Sequence, residues 1–315
     1  MRSRLLALAA AISLLAGAQS AMAASLAPAH AAAPSASRPC GTLASPHRYT
    51  HVIWVWMENH SYNTIIGSPQ ARYINSLAAR CGLATNYHNI THPSLPNYVA
   101  ATSGLGFPPL QTFTTDCDPS PVCRTSAASI FGQRESWKAY EESMPRPCDR
   151  VNSGEYAVRH NPPPYFTRLR TCAQFDVPYS RLAADLARHR LPAFSFITPN
   201  LIDDMHDGTV ADGDRWLARN LPVILNSPEY RSGTTVVFVT WDEGEGGTAQ
   251  QCSADTVDVG CHVATIVISP STRPGTRSGR LFNHYSLLGT TEQLLHLPRL
   301  GRASAFPTMT SAFRL

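Results

Sequence analysis

Glu58 and Asn59 place a carboxylate beside an amide directly after the apolar run at 51–57, and a hydroxyl follows at Ser94 in Thr91-His92-Pro93-Ser94-Leu95-Pro96-Asn97-Tyr98. An ionised group at the end of so apolar a strand is unfavourable unless it is paired or bound to a cation. Glu and Asn offer the hard oxygens that a divalent cation takes. Ser94 stands before a helical stretch with Pro two residues on, the composition of an ordinary N-cap. Free N–H groups at such a helix end also attract anions and favour an alkoxide. A serine hydroxyl is a weak nucleophile at neutral pH until a base or a metal activates it. These residue types suggest phosphoryl transfer through Ser94, assisted by one divalent metal ion of open identity.

Chemical partners lie further along. Asp242-Glu243 close the apolar run at 234–241 and precede Gly244, Gly246 and Gly247, which allow close backbone approach. Two adjacent acids there are either a solvated turn or a pair that one cation neutralises. His206 sits in Asp203-Asp204-Met205-His206-Asp207-Gly208, where its acidic neighbours favour a positioned cation or a ligand over an exposed loop histidine. His284 opens the last helical segment, where the helix dipole lowers its pKa and suits a neutral ligand or phosphate partner. His92, two residues from Ser94, is placed to contact a leaving group.

The elements that must position these groups alternate. Strands are expected at 51–57, 193–197, 234–241 and 262–269, with a further one at 136–140 in a stretch of mixed signals. Helices are expected over 71–81, 95–102, 180–189, 214–225 (interrupted by Pro222) and 284–297. Such alternation implies βαβ units and a mostly parallel sheet covered on both faces. Ligands of such sheets bind at the carboxyl ends of the strands. Glu58-Asn59, residues 200–207 and Asp242-Glu243 each leave a strand at that edge, so three polar clusters converge. The Pro- and Cys-rich stretches 108–124 and 145–178 read as pinned insertions shaping a site entrance, not as a second domain.

Residues 1–23 read as an export signal: Arg2 and Arg4, an apolar core at 5–16 and the small-x-small site Ala21-Met22-Ala23, with Ala29-His30-Ala31 as a second cleavage site. That core is shorter than the roughly 20 residues a bilayer span needs. Residues 24–39, rich in Ala, Ser and Pro, read as a disordered linker, and 40–315 as one catalytic domain. The formal charge of +4 becomes +2 once Arg2 and Arg4 leave, and no Lys/Arg run marks a nucleic-acid partner. No integral membrane segment is expected after signal cleavage, and the oligomeric state is open. Eight cysteines in an exported chain favour up to four disulfides. Cys117–Cys123 and Cys252–Cys261 suit local loops, while the other pairings stay open. There is no Cys-x-x-Cys for a zinc knuckle or a thioredoxin-type site.

Over residues 50–297 the chain resembles the bacterial phosphoesterase family of secreted acid phosphatases and phosphatidylcholine-type phospholipases C. The likeness rests on Met57-Glu58-Asn59-His60-Ser61, Thr91-His92-Pro93-Ser94-Leu95-Pro96-Asn97-Tyr98, Pro199-Asn200 with Asp204-Met205-His206-Asp207-Gly208, Gly213-Asp214-x-Trp216-Leu217, Thr240-Trp241-Asp242-Glu243 and His284-Tyr285-Ser286, in that order. The resemblance implies an alkaline-phosphatase-like α/β three-layer sandwich and a phosphoseryl intermediate on Ser94. It puts Glu58, Asn59, Ser94, Asp242 and Glu243 round the metal. His206, His92 and His284 would hold phosphate oxygens or protonate the leaving group, and Asn59, Asn97 and His206 would contact the substrate. The substrate would be a small-molecule or lipid phosphate ester met outside the cell. The form of the Ser94 motif is most similar to secreted acid phosphatases, including those acting on phosphatidylinositol 3-phosphate. Many members of the wider superfamily carry Asp-His and two zinc ions where this chain has Asp242-Glu243, so an oxygen-rich, one-metal site is expected. Three alternatives stand beside this reading. One is a phospholipase C-type phosphodiesterase. Another is a sulfatase-like hydrolase, disfavoured because the Ser94 motif lacks the Arg that formylglycine formation needs. The last is an inactive extracellular binding protein, which would need a broken site.

Overall fold

The computed structural model describes residues 35–133, 136–247, 251–253 and 257–315. Residues 1–34, where the export signal and most of the linker are expected, lie outside the described residues. Among the described residues nine strands form one sheet: β1 His51–Met57, β2 Gly82–His88, β3 Trp137–Glu141, β4 Asp176–Pro178, β5 Phe194–Thr198, β6 Thr235–Trp241, β7 His262–Ile268, β8 Thr276–Ser278 and β9 Phe282–Asn283. Their order is β4-β3-β5-β1-β6-β7-β2-β8, with β9 also on β2. β4 through β6 run parallel, and β7 is antiparallel to both β6 and β2. The sheet is thus mostly parallel, as the alternation of elements implies.

β1 lies between β5 and β6, and all but its first residue are buried. That is why it reads as an unbroken apolar run: both of its faces are covered. The five longest helices are α1 Arg72–Arg80, α2 Ser94–Ser103, α3 Arg181–Ala187, α4 Val210–Leu225 and α5 His284–Leu294. Alternate β1 side chains show the two covering layers. Trp54 donates to Thr291 of α5 and Trp56 packs on Tyr98 of α2, whereas Met57 closes on Gly213 of α4.

Besides the short unexpected strands β4, β8 and β9, two longer elements differ from the sequence expectation. Pro222 does not interrupt α4, which begins four residues before the expected start behind a capping box made by Thr209 and Asp212. Trp216, Leu217, Leu221, Ile224 and Leu225 bury its inner face and hold it through the missing proline N–H. No strand was expected after the helix at 71–81, where β2 lies. Its Gly-Leu-Ala-Thr-Asn-Tyr-His lacks clean alternation and carries a register shift between Ala84 and Tyr87, so pairing with β7 and β8 makes it a strand.

All eight cysteines pair: Cys40–Cys81, Cys117–Cys123, Cys148–Cys172 and Cys252–Cys261. The end of the linker lies against the domain, with the Ala36 N–H donating to Asn226 and the Tyr230 hydroxyl to the Pro39 carbonyl. No helix among the described residues is long and apolar enough to cross a membrane.

Candidate active site

β1 and β6 end in register, Met57 opposite Trp241, and the Asp242 N–H donates to the Met57 carbonyl at 3.0 Å. This pairing sets Glu58 and Asp242 side by side. Asn59 takes a left-handed φ of 53°, a conformation Asn tolerates, and its N–H donates to Asp242 Oδ1 at 3.1 Å. The turn after β5 adds Asp204, whose carbonyl accepts the Glu58 N–H at 2.8 Å. Three strand ends therefore deliver three acids, all fully buried.

Ser94 is the first residue of α2, not its N-cap, and its side chain caps nothing. The hydroxyl is thereby free to donate to Glu58 Oε2 at 3.1 Å. One helical turn on, the Tyr98 hydroxyl donates to the other oxygen, Glu58 Oε1. The cap of α2 comes from elsewhere: Asp116 Oδ1 accepts the Leu95 N–H at 2.9 Å.

Burial pushes the Glu58 carboxyl well above its ordinary range, and Asp242, Asp204 and Glu243 push it the same way. Asp242 is raised to about 7 by burial, against the Asn59 N–H and the Ser94 hydroxyl, which favour its anion. So much buried acid in one place calls for a positive charge.

The second proline-rich excursion brings His160 and Arg159. Nδ1 of His160 lies 3.1 Å from Asp204 Oδ2, and Nε2 lies 3.3 Å from Glu58 Oε1. Burial holds this imidazole neutral, and the Arg159 guanidinium acts in the same direction. With Nδ1 donating to Asp204, the Nε2 lone pair faces a carboxylate oxygen and has no hydrogen-bond partner, and buried Asp242 Oδ2 has none either. Two orphaned acceptors beside a buried carboxylate fit a divalent cation. Glu58, His160 and His206 offer ligand atoms all within 4.8 Å of one another. The donor set is less purely oxygen than the sequence suggests.

His206 itself is tied down: Nδ1 is 2.6 Å from Asp207 Oδ1 and Nε2 is 3.0 Å from an Arg159 N–H. His92 lies at the same edge, with Nδ1 3.1 Å from Glu243 Oε2 and its ring covering Gly247, where a Cβ would overlap it. Asn59, His92, Pro93 and residues 243–247 line one cavity of about 370 Å³ beside this edge.

Ser94, Glu58, Asn59, Asp242, Glu243, His92 and His206 thus gather at the carboxyl edge of the sheet. Two expectations need correction. Asn97 is fully buried and turned inward: Oδ1 accepts the Ile90 and Thr91 N–H groups, and Nδ2 donates to the Thr91 and Pro93 carbonyls and to Glu243. It has no polar atom left for a substrate. His284 is likewise spent, with Nε2 2.7 Å from the Asp242 carbonyl and Nδ1 3.1 Å from the Tyr87 hydroxyl. Its pKa falls to about 4 through burial, not through a helix dipole. Rather than facing a phosphate, it props the backbone of Asp242.

Sequence reasoning missed His160, Arg159, Tyr98 and Asp116 as site residues. Tyr98 carried a signal, since it lies four residues from Ser94 on one helix face. The other three ride on the two excursions, and their only mark was the cysteine pair that closes each.

A buried carboxylate nest lies against a serine hydroxyl at the carboxyl edge of a mostly parallel sheet, and comparison with known proteins makes the chain a hydrolase of phosphoric esters. The chain belongs to the phosphoesterase family, whose model matches residues 68–298. It is 33% identical over 267 residues to a phosphatidylinositol-3-phosphatase of Mycobacterium tuberculosis, covering 83% of this chain and 82% of that one. To an acid phosphatase of Aspergillus fumigatus it is 28% identical, over 79% of this chain but only 55% of the longer fungal protein. Among solved structures, a Vibrio parahaemolyticus protein of the alkaline phosphatase superfamily shares the fold with a TM-score of 0.52, at 13% identity over 89% of this chain and 74% of that one.

Proposed function

We propose that this chain is an exported phosphomonoesterase that uses Ser94 Oγ as its nucleophile and passes through a phosphoserine. One observation carries the reading: the Ser94 hydroxyl is released from capping and donated to Glu58 Oε2 at 3.1 Å. As Oγ attacks phosphorus in line, its proton moves to Glu58 Oε2, the carboxylate oxygen to which it already donates. Tyr98 holds the other oxygen of Glu58 and fixes the carboxylate's plane. Glu58, Asp242 and His160 would hold a divalent cation, with Asn59 and Ser94 at its border. Such a cation, when bound, offsets the carboxylate charge and makes the site receptive to a phosphate. Arg159 adds a guanidinium from the rim. Water then cleaves the phosphoserine, and Glu58 returns the proton to Ser94 Oγ. Four disulfides suit an oxidising compartment, which supports export. The 33% identity to a phosphatidylinositol-3-phosphatase supports phosphoinositide monoesters among the substrates.

The test is Ser94→Ala on p-nitrophenyl phosphate, phosphatidylinositol 3-phosphate and bis-p-nitrophenyl phosphate, each with and without chelator. Turnover of the monoesters should fall at least about a thousand-fold, with the thermal melt within a few degrees of wild type. Retained turnover removes Ser94 from this role, and faster diester than monoester turnover by wild type favours the phospholipase C-type reading.

A further inference from the structure

A departing alkoxide needs a proton, and the imidazoles near Ser94 are poorly placed to give one. His206 accepts from Arg159 on one nitrogen and donates to Asp207 with the other. His160 lies between Asp204 and Glu58, and burial keeps it neutral. His92 lies against Glu243, and burial lowers its pKa as well.

Asp116 is placed differently. Its Oδ1 accepts the N–H of Leu95, the residue next to Ser94, so the carboxyl stands beside the start of α2. Its other oxygen makes no hydrogen bond among the described residues, and the side chain is only half-buried. The Arg159 guanidinium acts on it electrostatically, and its own charge acts on Glu243. The half-exposed carboxyl therefore stands beside the helix end that carries Ser94, within electrostatic reach of Glu243. Two devices hold it there: the next residue is bridged to Cys123, and the Tyr165 hydroxyl donates to the Cys117 carbonyl at 2.9 Å.

We propose that Asp116 is the leaving-group acid of the reaction, a catalytic residue beyond those the motifs contain. The inference rests on the reading of Ser94 as nucleophile. In the first step Ser94 Oγ bonds to phosphorus, the bond from phosphorus to the leaving oxygen breaks, and Asp116 Oδ2 gives its proton to that oxygen. In the second step Asp116 carboxylate takes a proton from water as the water oxygen bonds to phosphorus. The bond from phosphorus to Oγ then breaks, and Oγ regains its proton from Glu58. Burial raises the Asp116 carboxyl above its ordinary range, although the Leu95 N–H and Arg159 pull the other way.

Asp116→Asn separates this role from capping. An amide oxygen still accepts the Leu95 N–H, and Asn tolerates the left-handed φ of 50° at this position. The variant and wild type are compared on p-nitrophenyl phosphate, whose phenolate needs little protonation, and on an alkyl monoester such as glycerol 2-phosphate, whose alkoxide needs it. The expected result is a fall in kcat/KM at least about ten-fold larger on the alkyl ester, with an unaltered melt. Equal losses on both esters, or no loss on either, overturn the proposal. If Asp116→Asn does not fold, Asp116→Ser, which can also accept from Leu95, is read the same way. Ser94→Ala in the same panel keeps the two failures apart: its retained activity sinks the nucleophile, whereas an Asp116 variant that treats both esters alike sinks only the acid.

Discussion

Asn97 spends all of its hydrogen-bonding capacity on the protein, stapling residues 90–93 to α2 and holding Glu243. Asn97→Ala would leave two buried N–H groups and a carboxylate short of partners, at about 1–3 kcal/mol for each unsatisfied group. The melt should drop on the order of 5–10 °C and kcat should fall, while KM stays within about three-fold. A large rise in KM with an unchanged melt would restore Asn97 to the substrate. At this scale the sequence reveals which residue types matter but not which way they face. Glu58, Ser94 and Asp242 were legible because an acid or hydroxyl at the end of a buried strand or the start of a helix has few ordinary uses. Asn97 and His284 carry equally suggestive chemistry in equally suggestive motifs. Their inward turn depends on neighbours, such as the Ile90 N–H and the Tyr87 hydroxyl, that no local pattern announces.

Among the elements, the parallel strands were legible because burial on both faces leaves a continuous apolar run, as in β1 and β6. β2 was not, because its pairing partners, not its own pattern, make it a strand. The excursions were legible only as pinned loops, and three of the four missed residues lie there. The Cys148–Cys172 bridge spans 24 residues and encloses Arg159 and His160. Loop-closure entropy assigns such a bridge about 3 kcal/mol. The double variant Cys148→Ser/Cys172→Ser should therefore melt several degrees lower and lose kcat by ten-fold or more, as His160 loosens from Asp204 and Glu58. Melting curves and monoester assays on one preparation check this. An unchanged kcat would mean that the loop's packing, with Tyr156, Val158 and Tyr165 buried, fixes His160 without the bridge.

Across the whole molecule the carboxyl edge of the sheet collects buried acid well beyond Glu58, Asp204, Asp242 and Glu243. Glu141, at the end of β3, and Asp176, in β4, lie close together and fully buried, and burial raises both, Asp176 to about 8. A carboxyl whose pKa is raised by folding keeps its proton in the native state while the unfolded chain loses it. Stability is then fullest below about pH 4, where unfolded carboxyls titrate, and is lost as pH rises through the folded values, about 7 for Asp242 and about 8 for Asp176. The metal-free protein should therefore melt lower at pH 8 than at pH 5. A divalent cation that binds the ionised Glu58–Asp242 nest should raise the melt more at pH 8 than at pH 5, since at pH 5 it competes with protons. Asp176→Asn should flatten the metal-free pH dependence without changing the cation's increment, because Asp176 stands apart from Glu58. Thermal melts at three pH values, with and without chelator, separate the two sources. A metal-free melt that rises from pH 5 to pH 8 would show that these carboxyls are ionised and otherwise compensated in the native state, and the case for a cation at Glu58 would fall with it.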